Sequence, residues 1–238
     1  MTKTAMILAA GLGQRMRPLT NTLPKPLIPV AGKSMLERTF EHLKESGISK
    51  VVVNTHYLAP LIEEVIKTHY PETLISHEKT LLETGGGIKK ALPLLGEDAF
   101  FTLNGDSVWS HSQSLLTMKN IWDEERMDAL LLLIPREKAH GYEGRGDFFL
   151  SQEGQLTRLG EASSAPYVYI GVQLTSARLF KDTQEGSCSL NVLWNKAPEI
   201  GRLYGLVHQG DWFHISTPED LKKYEPMVAR AEGILSHS

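Results

Sequence analysis

Two patterns alternate along the first half of the chain. Short apolar runs are followed by stretches in which apolar residues recur every three or four positions. Met6 to Ala10 is an apolar run that ends abruptly at Gly11-Leu12-Gly13. From Ser34, the residues Leu36, Phe40 and Leu43 fall on one helical face, and Gly47 stops the helix. Val51-Val52-Val53 is a β-branched run that reads as a buried strand. Leu58 to His69 carries a helical stripe of Leu61, Ile62, Val65 and Ile66, and Thr73 to His77 reads as a short strand. Ile88, Ala91, Leu92 and Leu95 give another helix, Phe100 to Leu103 a strand, His111 to Glu125 a solvated amphipathic helix, and Ala129 to Ile134 a central buried strand. Strands alternating with helices predict an α/β fold: a Rossmann-like, mostly parallel sheet with helices on both faces.

After about residue 135 the pattern changes. Glu143 to Leu150, Leu156 to Leu159 and Tyr167 to Leu174 read as antiparallel strands joined by hairpin turns. They predict a small lobe laid over the sheet. Leu190 to Trp194 reads as a short core helix. Thr217-Pro218-Glu219-Asp220 is a helix start, with a cap, a first-turn proline and two acids. Leu221, Tyr224, Val228 and Ala231 would be the packing face of that last helix. The expectation is one domain over 1–238: about 1–135 for one ligand, about 136–215 as the lobe, and 216–238 as a C-terminal helix.

Composition changes little in this picture. The chain has 238 residues, 41% hydrophobic and 22% charged, enough for one sizeable core. A formal net charge of -3 gives no reason to expect nucleic acid or a membrane surface as partner. Cys188 is the single cysteine, so no internal disulfide can form. No run approaches the ~20 apolar residues of a membrane span, and no secretory cleavage pattern opens the chain. A cytoplasmic protein, monomeric or a small homo-oligomer, is expected.

Candidate chemistry begins where the first strand ends. Glycines at 11 and 13 let backbone N–H groups approach an anion, Arg15 offers a planar fork of donors, and Lys25 stands between Pro24 and Pro26. Alone, the same residues are a strand, a glycine turn and a surface cation. Leu82-Glu83-Thr84-Gly85-Gly86-Gly87 would expose N–H groups at a helix entrance, or serve as a packing loop. Asn104-Gly105-Asp106 follows a strand, where the carboxylate can reach a divalent cation or simply close a turn. Gly144-Arg145-Gly146-Asp147-Phe148 is a hairpin turn or a ligand-facing loop.

The whole string L-A-A-G-x-G-x-R-M-x-P-x-T, followed by P-K-P-L, resembles the signature of sugar-nucleotide pyrophosphorylases. These nucleotidyltransferases join a nucleoside triphosphate to a sugar-1-phosphate. The resemblance extends over nearly the whole chain and implies that fold, with Arg15, Lys25 and Asp106 as catalytic residues. It implies nucleotide contacts at Leu8, Ala10, Gly11, Gly13, Glu78 and Gly85, and sugar contacts at Asn104, Arg145, Gly146, Glu161 and Gly171. The implied cofactor is Mg2+, with Mn2+ or another divalent ion as alternatives. The E-T-G-G-G and G-R-G-D strings look like those of uridylyltransferases acting on N-acetylmuramate-1-phosphate, whose lactyl carboxylate suits Arg145. Mannose, glucose and heptose enzymes share most of the remainder.

Two positions depart from the family pattern. Ala162 stands where many relatives have a Lys after the Glu. His214 stands where W-x-D-x-G-T-P has the Asp that completes the magnesium site. Imidazole is softer and poorer for magnesium. Asp106 would then hold the metal with phosphates and water, or His214 would ligate directly, or Asp211 would substitute. A sugar-nucleotide-binding protein without turnover is the remaining alternative.

Overall fold

The computed structural model describes residues 2–183, 185–196 and 201–234. Fourteen strands and six helices are found among them. The first half gives β1 (Thr4–Leu8), β2 (Pro29–Val30), β3 (Lys33–Ser34), α1 (Met35–Glu45), β4 (Lys50–Thr55), α2 (Ala59–His69), β5 (Leu74–His77), α3 (Glu83–Leu95) and β6 (Phe100–Asn104). Next come β7 (Val108–Trp109), α4 (Gln113–Ile121), β8 (Ala129–Pro135), β9 (Ala139–His140), β10 (Phe148–Leu150), β11 (Leu156–Arg158) and β12 (Tyr167–Thr175). The last elements are α5 (Leu190–Lys196), β13 (Leu203–Val207), β14 (Trp212–Phe213) and α6 (Pro218–Ala231).

Strand alternation decides which helix covers which face. In β1, Ala5 and Ile7 point one way and Met6 the other, and all three are fully buried. Ala5 and Ile7 belong to one buried cluster with Leu36, Phe40 and Leu43 of α1, Ile62 and Ile66 of α2, and Leu115 and Met118 of α4. Met6 belongs to the other, with Ile88, Ala91 and Leu95 of α3 and Leu193 and Trp194 of α5. Each such buried aliphatic side chain contributes about 1.5–3 kcal/mol. In β8, Leu130, Leu132 and Ile134 join the first cluster, and Leu131 and Leu133 the second. That is why its sequence is a continuous apolar run.

β1, β4, β5 and β6 pair in parallel in the order β6-β1-β4-β5. The expected antiparallel strands are present, and they are continuous with the main sheet, because β12 runs between β6 and β8 and pairs with both. The β10–β11 hairpin continues outward from β12, giving one sheet of nine strands. β12 can do this because Val172 and Leu174 are as apolar on one face as the parallel strands beside them. A second, three-stranded sheet, β7-β14-β9, stands beside it.

Two helix expectations change. α4 ends at Ile121 rather than Glu125, and it buries Leu115 and Met118 rather than lying free in solvent. α6 packs through Tyr224, Val228 and Ala229, while Ala231 is exposed. Thr217 and Asp220 form a reciprocal capping box at its start. The expected helical tail beyond 234 lies outside the described residues. No helix among the described residues is long and apolar enough to cross a membrane.

Candidate active site

The loop after β1 is held open by a chain of buried polar contacts. The Ala9 N–H donates to Asn54 Oδ1 at 2.8 Å, and Asn54 Nδ2 donates to Glu78 Oε1 at 2.7 Å. Glu78 Oε2 accepts the Leu82 N–H at 3.0 Å. Downstream, Gly13 has φ +59, and a Cβ there would crowd Thr20 and Lys25. Its carbonyl accepts from the Met16 N–H and from Thr20 Oγ1, and Tyr57 OH donates to the Thr20 carbonyl. Met16 is fully buried among Ile28, Val30, Met35, Phe213 and Tyr224 and plugs the loop into the body of the protein. Gly11 has open space where a side chain would be.

Two cavities meet at this loop. The first, about 430 Å³, is lined by Leu8, Ala10, Gly11 and Gly13, by Thr84 at the start of α3, and by Ser189 and Asn191. The second, about 220 Å³, is lined by Arg15, Tyr142, Asp147, Tyr169, Gly171, Trp212 and His214. Lys25, Asn104 and Asp106 line both and form the wall between them. Arg15, Lys25 and Asp106 therefore face one cavity. A Cβ at 105 would crowd Ile7 Cγ2 and the Leu8 carbonyl at 3.0 and 3.1 Å, so glycine suits the position. The Gly105 N–H donates to the Leu8 carbonyl at 2.9 Å, which ties the segment carrying Asp106 to the end of β1.

Lys25 Nζ lies 2.8 Å from Asp106 Oδ2. Burial pushes the Asp106 carboxyl up, but the charge and hydrogen bond of Lys25 prevail and hold it below the usual carboxylate range. Burial lowers His214, and the nearby cations Lys25 and Arg15 lower it further, so its imidazole is neutral at pH 7. The second cavity thus carries Arg15, the Lys25–Asp106 pair and a further carboxylate, Asp147. Asp147 Oδ2 accepts the Tyr169 N–H at 2.9 Å, and burial raises its carboxyl above the ordinary range.

Among the described residues, no group of three His, Cys, Asp or Glu side chains could hold a metal. Asp106, in the shared wall, and His214, in the second cavity, are the two candidate ligands. Asp211 is turned away, with His140 Nε2 3.5 Å from its carboxylate. One hard carboxylate fits a magnesium-like ion that takes its other ligands from phosphates and water.

Several expected contacts are placed elsewhere. Both Glu78 oxygens are engaged inside the protein, so this side chain is a strut behind the first cavity. Gly85 does not line the cavity. It lies within α3, and a Cβ there would come within 2.9 Å of the Cys188 carbonyl, so its bareness serves helix-to-chain packing. Arg145 and Glu161 are exposed and line neither cavity. The Ala165 N–H donates to the Arg145 carbonyl at 2.7 Å, which fixes that turn with its side chain outward. Gly146 is buried under Tyr142 OH, which accepts its N–H, and lies outside the lining of both cavities. Asn104 and Gly171 do line the second cavity and touch each other.

Asp147, Tyr142 and Tyr169 line the second cavity and Ser189 and Asn191 the first, and none of them was among the candidate site residues. Asp147 was visible as the acid in the G-R-G-D string. Ser189 and Asn191 carry no local signal, because the segment reaches the site only through long-range pairing. Cys188 N–H donates to the Leu82 carbonyl, and Gly86 N–H to the Cys188 carbonyl.

A glycine loop beside a shared cation–carboxylate wall is what a nucleotidyl-transfer site requires. The nucleotidyl transferase family profile matches residues 4–159. The chain belongs to the nucleotidyl transferase family. This transferase is 40% identical to an N-acetylmuramate alpha-1-phosphate uridylyltransferase of Caulobacter vibrioides, over 96% of the chain and 98% of the relative. It is 31% identical to the Neisseria meningitidis enzyme of the same name, over 94% and 97%. A UDP-glucose pyrophosphorylase complexed with UDP-glucose shares its fold at a TM-score of 0.79 and 16% identity, over 97% of this chain and 99% of that one. The inositol-1-phosphate CTP transferase from T. maritima shares it at 0.77 and 20%, over 99% and 98%.

Proposed function

We propose that this nucleotidyl transferase joins UTP to N-acetylmuramate-1-phosphate, releasing pyrophosphate. The observation that carries the reading is the wall of Lys25, Asn104 and Asp106 shared by a glycine-lined cavity and a polar, aromatic-walled one. The first takes the triphosphate and the second the sugar phosphate. The choice of sugar and base rests on the two uridylyltransferase relatives that span nearly the full chain.

The attacking sugar-phosphate oxygen is already anionic, so no general base is needed. It attacks the α-phosphorus, the bond from that phosphorus to the bridging oxygen breaks, and pyrophosphate carries away the electron pair. The loop N–H groups and Arg15 hold the β- and γ-phosphates. Lys25 neutralises charge growing on the α-phosphoryl oxygens. Positioning and preorganised charge supply the rate. Enzymes of this family generally use a divalent cation. Magnesium, or manganese, held by Asp106 with His214 nearby would supply further charge neutralisation between the phosphates.

Within the sugar cavity, Asn104, the backbone at Gly171 and Asp147 offer partners for hydroxyl and amide groups. Arg145 is not needed for this reading. The test is pyrophosphate release from a panel of UTP and GTP with N-acetylmuramate-, mannose-, glucose- and heptose-1-phosphates. UTP with N-acetylmuramate-1-phosphate should give the highest kcat/KM. A higher value for GTP with mannose- or heptose-1-phosphate would overturn the substrate assignment. Tight sugar-nucleotide binding with no release for any pair, under magnesium or manganese, would overturn the enzyme reading.

A further inference from the structure

A separate cavity, about 890 Å³, borders the entrance of α3 and shares no lining residue with the two active-site cavities. Lys79, Lys89 and Lys90 line it, against a single carboxylate, Glu185. Among the described residues, none of these lysines has a carboxylate within ion-pair distance. Lys89 Nζ donates to the carbonyls of Phe180 and Lys181, and Lys90 Nζ to that of His77. Those acceptors fix the ammonium groups in place without neutralising them, and each retains a free donor. Leu82, Leu92 and Pro93 give the same cavity an apolar wall.

Three cations against one carboxylate, beside an apolar wall, suit an anion attached to a flat or ring-shaped body. The cavity is also joined to the active site. Gly86 and Gly186 both line it, and their backbones touch so closely that a Cβ on Gly86 would strike the Gly186 carbonyl. Three residues beyond Gly186, Ser189 lines the cavity beside the glycine loop. We propose that the lysine cavity binds an organic phosphate and that occupancy is transmitted along residues 185–191 to the cavity lined by Ser189 and Asn191. The inference goes beyond the reaction assigned above and needs neither its sugar nor its base.

Calorimetric titration of the protein with inorganic pyrophosphate tests this. The wild type should show two sites per chain, Lys79→Glu/Lys90→Glu one, and Arg15→Ala should keep the lysine-dependent one. Amide exchange at 187–191 should slow on pyrophosphate addition to Arg15→Ala but not when the two lysine changes are added. Glucose 6-phosphate and UMP are further arms. Whichever loses at least tenfold affinity in the lysine variant identifies the body as sugar or base. One site in the wild type, or no lysine-dependent binding by any of the three probes, would overturn the proposal. Lys79 and Lys90 are exposed, so reversal should leave the melt unchanged; if it does not, Lys79→Gln/Lys90→Gln carries the same readings. Pyrophosphate release by the lysine variant, without added effector, should match the wild type. A chain inactive on every sugar phosphate but keeping lysine-dependent binding would sink the reaction and leave this site standing.

Discussion

Removing the charge of Lys25 while keeping its stem separates catalysis from stability. In Lys25→Met the side chain still fills the space beside Gly13, and only the ammonium is lost. The ion pair it makes with Asp106 spans 2.8 Å, with the two side chains 12% and 39% exposed. At that distance the bare Coulomb attraction is about 1.5 kcal/mol with a water-like dielectric and about 6 kcal/mol at an effective dielectric near 20. Desolvation and the exposure of Asp106 offset most of it, so the pair contributes about 1 kcal/mol or less to folding. During transfer the same ammonium faces growing phosphoryl charge without having to reorganise, which is worth about 2.7–4 kcal/mol. Lys25→Met should therefore lower kcat about 10²- to 10³-fold and shift the urea midpoint only slightly. Single-turnover pyrophosphate release and equilibrium unfolding measure the two quantities. A variant with near-wild-type turnover, or one that loses about 3 kcal/mol of stability, would refute the reasoning.

Three further outcomes follow from the packing and the charges. His208 is 3% exposed and pushed down to about 4, first by burial and then by His111 and His42. Its folded pKa lies below the unfolded value, so the unfolded chain takes up the proton first. Stability should fall by about 3 kcal/mol between pH 6.5 and 4, and His208→Gln should flatten that limb of the denaturation profile. Gly86→Ala forces a methyl against the Gly186 backbone, which should cost about 1–3 kcal/mol in urea melts and raise the KM for the triphosphate as residues 187–191 are displaced. His214→Asp places a second carboxylate near Asp106, the proposed metal ligand, and the magnesium concentration giving half-maximal rate should drop. An unchanged magnesium requirement would place residue 214 outside the ion's reach.

Periodicity made most of the fold legible. β1, β4, β6 and β8 announced themselves as apolar runs because strands buried on both faces have no polar side to show. α1 showed its stripe because one face is wet; of the stripe expected for α2, Ile62 and Ile66 are buried, Val65 is half-buried, and Leu61 is exposed. The placement of Gly11, Gly13, Arg15 and Lys25 on cavity walls followed from a short stretch, because the loop leaves the end of β1. The capping box at Thr217 was written in four consecutive residues.

What the sequence left open was decided by partners distant along the chain. β12 is indistinguishable locally from a hairpin strand of a separate lobe, and only its pairing with β6 and β8 makes it part of the main sheet. Glu78 and Gly85 belong to motifs that suggest ligand contact, yet Asn54 and the Cys188 segment occupy them from within. Arg145 points outward and Asp147, two residues later, lines the cavity, because turn geometry rather than residue type selects which side chain faces in. Local chemistry along the chain thus determined most of the strands and helices and the glycine loop after β1. Which charges share a cavity was settled only by tertiary folding, since hydrogen bonds and burial act between residues that the sequence keeps far apart.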